Sequence, residues 1–116
     1  MKLRPLFNPG VYVYVEADSV KSPYIGMFKE HEGTTFIMQK DDAVAEGLDW
    51  QFESAWISLT THTALDGLGV TAAFSSALSA AGISCNVIAA VFHDHIFVPV
   101  ERAEEAMDIL AELSLP

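Results

Sequence analysis

The chain has 116 residues, of which 51% are hydrophobic, so it can form one compact domain around an apolar core. Sixteen Asp and Glu against six Lys and Arg give a formal net charge of -10. This charge repels phosphate backbones and anionic lipid headgroups, which argues against nucleic acids and membranes as partners. No Lys or Arg occurs between Lys40 and Arg102, and an anion bound in that stretch must therefore be held by backbone N–H groups.

Cysteine usage and hydropathy indicate the cellular compartment. Cys85 is the single cysteine and cannot form an internal disulfide, which is typical of proteins in a reducing environment. Its apolar neighbours indicate burial more than reactivity. The first residues lack the apolar segment of a signal peptide, and no run approaches the roughly 18 apolar residues that span a bilayer. We therefore expect a cytoplasmic protein.

Strand-forming patterns dominate the first half of the chain. Residues 8–10, Asn-Pro-Gly, predict a turn, and the β-branched and aromatic run at residues 11–16 predicts a strand. Two more strand-like runs, residues 25–30 and 34–39, are separated by a short polar segment with a glycine, which is typical of a hairpin. Residues 41–46 are predicted to be a short helix, since an aspartate can cap its start and a glycine follows its end.

The second half has a clearer alternation of element types. It predicts a strand at residues 56–61, a glycine loop at residues 66–69, a helix from Val70 with apolar residues at helical spacing, and an apolar strand at residues 85–92. That strand is apolar enough to be covered on both faces. A return strand follows at residues 95–100, and its proline must lie near the strand's end.

The chain closes with an amphipathic helix from Ala103, with apolar residues on one face and acidic residues on the other. The resulting order, β-α-β-β-α, is a ferredoxin-like split unit without its fourth strand. Only residues 114–116 follow the helix, so another segment must supply that strand. We expect residues 11–16 to lie beside the strands of the second half.

Three segments of the second half resemble a known family. Residues 62–73, 82–88 and 93–99, within the stretch from Ile57 to Val100, resemble the small bacterial ACT-domain-containing proteins, which are similar to the regulatory ACT domains of aspartate kinases. The resemblance implies an α+β fold, with a ferredoxin-like, ACT-type antiparallel sheet and helices on one face. It also implies two ACT-like halves that share one compact unit, residues 1–54 and 55–116.

The same resemblance implies a non-catalytic regulatory module that binds a small molecule, by expectation an amino acid. A helix start behind a glycine loop offers unpaired N–H groups and a partial positive charge to a carboxylate. The ammonium group would need an aspartate or backbone carbonyls. The predicted ligand-binding residues are Asp66, Gly67, Leu68, Gly69, Val70, Thr71, Asn86, Val87, Ile88 and Asp94. The alternative interpretation is that the glycines only close a tight strand-to-helix connection.

The histidines suggest a less favoured alternative, a metal-binding protein. His93 and His95 form a His-x-His pair, with His62, His31 and Asp66 elsewhere in the sequence, and three such ligands could complete an open metal site. The other interpretation is a polar hairpin turn with local hydrogen bonds. We predict no metal site and no cofactor.

Catalysis is not predicted either. Ser58, Thr60 and His62 alternate along one strand face, but nothing orients a base toward a nucleophile. Trp50 and Trp56, with the phenylalanine between them, could line a pocket, although packing is the simpler role for side chains of this size.

The expected partners are an amino acid or a similar small molecule, a separate effector protein, and a second copy of the chain. Residues 85–92 carry apolar side chains on both faces of the predicted strand. Because the helices cover one face only, the other face is left exposed, which favours a homodimer. The alternative function is a structural or protein-interaction domain that keeps the ACT-like fold without a ligand.

Overall fold

The computed structural model describes residues 3–60 and 69–113. The strands and helices follow nearly the order that the sequence predicts. The elements are β1 (Pro5–Glu16), β2 (Gly26–Lys29), β3 (Thr34–Gln39), α1 (Lys40–Ala45), β4 (Gln51–Leu59), α2 (Val70–Ala80), β5 (Asn86–Ala89), β6 (Asp94–Pro99), a 3₁₀ turn (Val100–Arg102) and α3 (Ala103–Leu113).

The chain divides into two compact units. The major unit comprises Met1–Pro9 and Ala55–Pro116, and the minor unit comprises Gly10–Ser54. The strands β1 and β4 each contribute residues to both units. Within the major unit the strand order is β1-β4-β6-β5, and within the minor unit it is β2-β3-β1-β4.

The core of the major unit lies between one face of its sheet and two helices. Alternate residues of β4 and β6 point to this face, and α2 and α3 cover it with their apolar sides. Each fully buried large aliphatic or aromatic side chain contributes on the order of 1.5–3 kcal/mol. The buried residues are Leu3, Ala55, Ile57, Leu59, Phe74, Leu78, Ile83, Ile96, Val98, Ala106 and Leu110. The acidic residues of α3 lie on its exposed side, as predicted.

The minor unit has a smaller core. β3 pairs in antiparallel fashion with β1, from Tyr12 opposite Gln39 to Glu16 opposite Thr35, and with β2 on its other side. The hairpin predicted at residues 25–39 is therefore confirmed, and so is the short helix after it. Its predicted aspartate cap is wrong, because Gln39 is the N-cap and Asp41 lies in the first turn. The buried core residues are Val13, Val15, Met38 and Ala43.

The turn predicted at residues 8–10 is wrong, because these residues lie inside β1. The Nδ2 atom of Asn8 donates to the carbonyl oxygen of Trp56 (3.2 Å) and to Oγ of Ser58 (3.0 Å) on the adjacent strand β4. Gly10 has a φ of 114°, a conformation that residues with a Cβ rarely adopt. The turn-type residues thus form an irregular point within a strand.

The missing fourth strand is supplied by β1, the strand that contains residues 11–16 and that lies beside β4. Residues 12–16 pair with β3 inside the minor unit. The strand added to the major unit consists of the preceding residues, 5–9, which belong to that unit. Asn8 hydrogen-bonds to β4 and helps to hold these residues beside the sheet.

The apolar run at residues 85–92 is not covered on both faces. Only Asn86–Ala89 form strand β5, which lies at the end of the strand order, and Ala90 N donates to His93 O to close the following turn. The side chains of Val91 and Phe92 are 65% and 68% exposed. In the major unit α2 and α3 pack on one face of the sheet, and nothing in the described part of the chain covers the exposed residues at this edge. Pro99 ends β6, as predicted.

No helix among the described residues combines the length and the apolar character required to cross a bilayer.

Candidate functional site

The start of α2 has backbone N–H groups that no described side chain caps. Gly69 is the N-cap, with a φ of 88°, and no side chain of the described residues caps the helix. The first helical hydrogen bond runs from Ala73 N to Gly69 O at 3.0 Å, so the N–H groups of the three residues before Ala73 have no acceptor within the helix. The first turn contains no acidic residue. Its partial positive charge is therefore not compensated from within the helix.

The described residues leave space beside Gly69. A Cβ atom placed on Gly69 would meet no heavy atom of the described residues within 4 Å. Gly69 and Thr71 are exposed, whereas Val70 packs against the core of the major unit. Asp66, Gly67 and Leu68, which complete the predicted loop, lie outside the described residues, as does His62.

The three predicted residues of β5 divide between two faces. Val87 packs against the same core as Val70, so it lies on the side of the sheet that carries α2. Asn86 and Ile88 alternate with Val87 and point to the opposite face. Their side chains are therefore not brought together with the start of α2.

The backbone of β5 offers a different contribution. Ala90 N donates to His93 O, and antiparallel alternation makes Ile88 opposite His95 the next pair that exchanges hydrogen bonds. Val87, opposite Ile96, lies between such pairs, so its N–H and C=O groups point away from β6, toward the edge of the sheet. The carbonyl of Val87 can accept a hydrogen bond there.

Asp94 begins β6 and pairs with Ala89. Its side chain shares the face of Ile96 and Val98, which belong to the core beneath α2 and α3, and it is half-buried. Asp94 and Val87 therefore lie on the same side of the sheet as the start of α2. The Asp94 carboxylate can therefore contribute on the helix-bearing side, whereas the Val87 carbonyl points to the edge of the sheet.

A polar cluster on the other face of the major unit is not predicted by the sequence. Nδ1 of His95 accepts a hydrogen bond from Nε1 of Trp56 at 3.0 Å, and Oγ of Ser58 lies 3.0 Å from the same nitrogen. Asn8 in turn donates to Ser58. These four residues, Asn8, Trp56, Ser58 and His95, are called the His95 cluster below.

The geometry of the His95 cluster determines the state of the imidazole. An indole N–H can only donate, so Nδ1 of His95 must be the unprotonated, accepting nitrogen and Nε2 carries the proton. Burial lowers the pKa of His95, the charge of nearby His93 lowers it further, and Asp94 opposes the shift. A second proton would have to enter at Nδ1, where Trp56 already points a hydrogen. The cluster therefore favours a neutral imidazole.

The pair of Ser58 and His95 is poorly arranged for nucleophilic catalysis. The one lone pair of Nδ1 is shared with the Trp56 N–H, and the Ser58 residue is only 5% exposed. A base that activates a serine needs that lone pair free and a substrate within reach of the oxygen. The alternating pattern in the sequence identified Ser58 as a candidate, together with Thr60 and His62 on the same strand face. The true partners are 37 and 50 residues away, and no local signal could identify them.

Two other side chains with reactive groups are Cys85 and His93. Cys85 is a free, partly buried thiol, and burial raises its pKa to about 11, so it is not a thiolate at neutral pH. Nδ1 of His93 is buried without a hydrogen-bond partner among the described residues. In the described ranges 3–60 and 69–113, no three His, Cys, Asp or Glu are grouped to hold a metal ion.

Comparison with solved structures gives several matches over nearly the whole chain. A protein of unknown function from Vibrio cholerae, described as a possible transport protein, is 36% identical, with 95% of this chain and 88% of that chain covered and a TM-score of 0.87. A protein from Agrobacterium tumefaciens is 16% identical, covers 98% and 90% of the two chains, and has a TM-score of 0.77. The regulatory subunit of aspartate kinase from Thermus flavus is 12% identical, covers 94% and 95%, and has a TM-score of 0.70. The last two matches show a shared fold.

Family models give the assignment directly. One model of the ACT domain matches residues 51–112, and a second matches residues 1–55. No curated protein sequence matches the chain. The predicted fold class, an α+β ferredoxin-like fold of the ACT type, is confirmed by these matches together with the antiparallel strands and packed helices. The chain belongs to the ACT-domain family, and its fold resembles that of the aspartate kinase regulatory domains.

Proposed function

We propose that this chain is a non-catalytic regulatory module that binds an amino acid at the start of α2. The observation that carries the proposal is the ACT-domain match over residues 51–112, a segment whose described part contains an uncapped helix start. Fold resemblance to a regulatory subunit of aspartate kinase supports a regulatory, ligand-binding type of module. The amino acid as ligand is our inference from the charge and donors of the site.

The ligand carboxylate would be held by backbone N–H groups of residues 67–71. The absence of Lys and Arg between Lys40 and Arg102 leaves these groups as the main anion donors there, together with the helix dipole. The ammonium group would be held by Asp66 or Asp94 and by backbone carbonyls of residues 86–88, of which Val87 faces the edge. The effector would be a separate protein, and we place the module in the cytoplasm because its single cysteine is a free thiol.

The test is a thermal-shift panel of the twenty amino acids and divalent metal ions. A ligand at roughly 100 times its dissociation constant adds about 2.7 kcal/mol to the free energy of unfolding. The matched control is the amide of each responding amino acid, which keeps the side chain and ammonium but lacks the carboxylate. We expect one or a few amino acids to stabilise the protein and their amides not to. Equal stabilisation by an amide would contradict the carboxylate site, and stabilisation by metals alone would favour the histidine-based alternative.

A second candidate function is protein interaction through the edge of the major unit. It is supported by the exposed apolar side chains of Ile88, Val91 and Phe92 beside the edge strand β5, since such patches commonly mark interfaces. In this case no amino acid would stabilise the protein, and substitution of Phe92 would weaken association with a partner.

A further inference from the structure

A carboxylate in the minor unit already occupies a pair of backbone donors. Residues 17–25 connect β1 to β2, and the side chain of Glu46 reaches this connection from the end of α1. Oε1 of Glu46 accepts a hydrogen bond from Lys21 N at 2.9 Å, and Oε2 accepts one from Ser22 N at 2.7 Å. Two consecutive N–H groups thus point at the two oxygens of one carboxylate.

This contact is the same kind that a free carboxylate ligand makes with a protein backbone. Successive backbone N–H groups in a turn create a local partial positive charge, and such groups bind anions. Hydrogen bonds from the Ser22 side chain and from the Lys21 backbone lower the pKa of Glu46, and the Lys21 charge adds to the effect. The carboxylate is therefore ionised at neutral pH and its oxygens are acceptors only.

The connection from β4 to β5 in the major unit can be compared with the connection from β1 to β2 in the minor unit. In the major unit, the connection from β4 to β5 contains α2, whose start is not capped by any described side chain. In the minor unit, the connection from β1 to β2 contains no helix and carries the N–H pair of Lys21 and Ser22. Backbone donors are thus found in both connections, but those of the minor unit are filled by the chain's own glutamate.

We propose that the N–H groups of Lys21 and Ser22 form a second carboxylate-binding site, which Glu46 occupies as an internal ligand. The chain then has one open carboxylate site, in the major unit, and one that is closed by its own side chain. The part of this inference that concerns the number of open sites rests on the proposed function. The occupied site itself rests only on the two hydrogen bonds of Glu46.

The test is chemical rescue of a Glu46→Ala variant by acetate. Thermal melts are recorded in rising acetate and, at matched ionic strength, in sodium chloride. The control is Glu53→Ala, which removes a glutamate of the same unit whose carboxylate contacts the side chains of Lys40 and Trp50 rather than backbone N–H groups. We expect acetate to raise the melting temperature of Glu46→Ala in a saturable way, since binding of acetate to the folded state alone stabilises that state.

The wild-type protein and Glu53→Ala should respond to acetate no more than to chloride. An equal acetate response in all three proteins, or none in Glu46→Ala, would overturn the proposal. Where Glu46→Ala does not fold in either salt, Glu46→Asp replaces it, because its carboxylate is drawn back by one methylene group. Acetate should then shift the amide proton signals of Lys21 and Ser22, and unchanged signals would overturn the proposal.

Calorimetry distinguishes this inference from the proposed function. Wild-type protein titrated with a stabilising amino acid should bind one molecule per chain. Two molecules per chain would show that Glu46 does not close the second site. A wild-type protein that binds no amino acid would refute the proposed function, while acetate rescue of Glu46→Ala would still support the occupied site.

Discussion

At the scale of single residues, His95 is the side chain whose state the fold controls most closely. It accepts from Trp56, its ring contacts the indole at a centroid distance of 5.7 Å, and Ser58 lies against the same nitrogen. The folded protein therefore prefers the neutral imidazole, whereas in the unfolded chain His95 titrates near the ordinary histidine value of about 6.5.

A His95→Gln variant should lose part of the pH dependence of stability. The folded pKa of His95 is lowered, so the unfolded chain takes up a proton first as the pH falls. The stabilisation is fully present above about pH 6.5 and is lost as the pH falls through the folded pKa. We expect the wild-type melting temperature to drop more steeply between pH 7 and 5 than that of His95→Gln. His31→Gln, at an exposed histidine, is the control, and a slope equal to wild type in His95→Gln would contradict the prediction.

A Trp56→Phe variant should raise the pKa of His95. The phenyl ring can keep the stacking with Phe97, whose centroid lies 6.3 Å from that of Trp56, but it removes the N–H that points at Nδ1. A proton can then enter at Nδ1 without facing another hydrogen. We expect an upward shift in an NMR titration of His95, and a loss of about 1 kcal/mol in stability from the missing hydrogen bond. An unchanged or lower pKa would mean that the indole N–H does not control the imidazole.

At the scale of secondary-structure elements, the two ends of α2 differ in how they are capped. Its start is left without a side-chain cap by the described residues, whereas its end is capped from the neighbouring element. Nη2 of Arg102 donates to Ala81 O at 3.0 Å and Nη1 to Gly82 O at 3.4 Å, while Nε donates to Glu105. A cation at a helix C-terminus also interacts favourably with the helix dipole.

An Arg102→Ala variant should destabilise the major unit by about 1 kcal/mol. Two carbonyl contacts and a favourable dipole interaction are lost, but the site is partly exposed, so solvent screening limits the effect. Arg102→Lys keeps the charge but cannot reach both carbonyls with one planar group, and it should recover only part of the loss. Urea denaturation measures both variants. A full recovery by lysine would show that charge alone is responsible.

A Gly69→Val variant should lose the response to the amino acid while staying folded. Gly69 has a φ of 88°, so any residue with a Cβ is strained there by about 1–2 kcal/mol. A branched side chain would also occupy the space that the described residues leave beside Gly69. Gly47→Val is the matched control, since Gly47 also has a positive φ, of 68°, and open space around it. Both variants should lose similar stability, but only Gly69→Val should lose the calorimetric signal. Normal binding by Gly69→Val would place the ligand elsewhere.

At the scale of the whole molecule, net charge and exposed apolar surface have opposite effects on self-association. A net charge of -10 makes two copies repel each other at low ionic strength. The edge strand β5 and the turn after it nevertheless expose Ile88, Val91 and Phe92, which favours association. Salt screens the repulsion but leaves the apolar contact intact.

We predict a homodimer whose dissociation constant falls as the salt concentration rises from about 50 to 300 mM. Light scattering at micromolar concentration measures the mass, with and without the stabilising amino acid. Phe92→Glu should give a monomer, because it places a charge in the apolar patch. Val44→Glu is the control, at an exposed apolar residue of α1 in the minor unit. A wild-type monomer under every condition, or a dimer of Phe92→Glu, would contradict the prediction.

By itself, the sequence determined the identity and order of most elements, because helical spacing, strand composition and glycine stops are local properties of the chain. The hairpin of the minor unit, α2 up to Gly82, the end of β6 at Pro99 and the amphipathic α3 all follow from such patterns. The family assignment also follows from the sequence. Among the residues of the predicted site, the helix start at Gly69 could be anticipated, since a glycine before an apolar helical pattern is a local signal.

Only the tertiary structure decided which segments lie side by side. Asn8 is in a strand and not in a turn because its side chain is held by β4, 48 to 50 residues later. Asn86 and Ile88 face away from α2 because the register with β6 sets the faces of β5. The His95 cluster and the contact of Glu46 with Lys21 and Ser22 join residues that are distant in sequence. Hydrogen bonds between such residues depend on strand pairing and packing of the complete chain, which local periodicity does not encode.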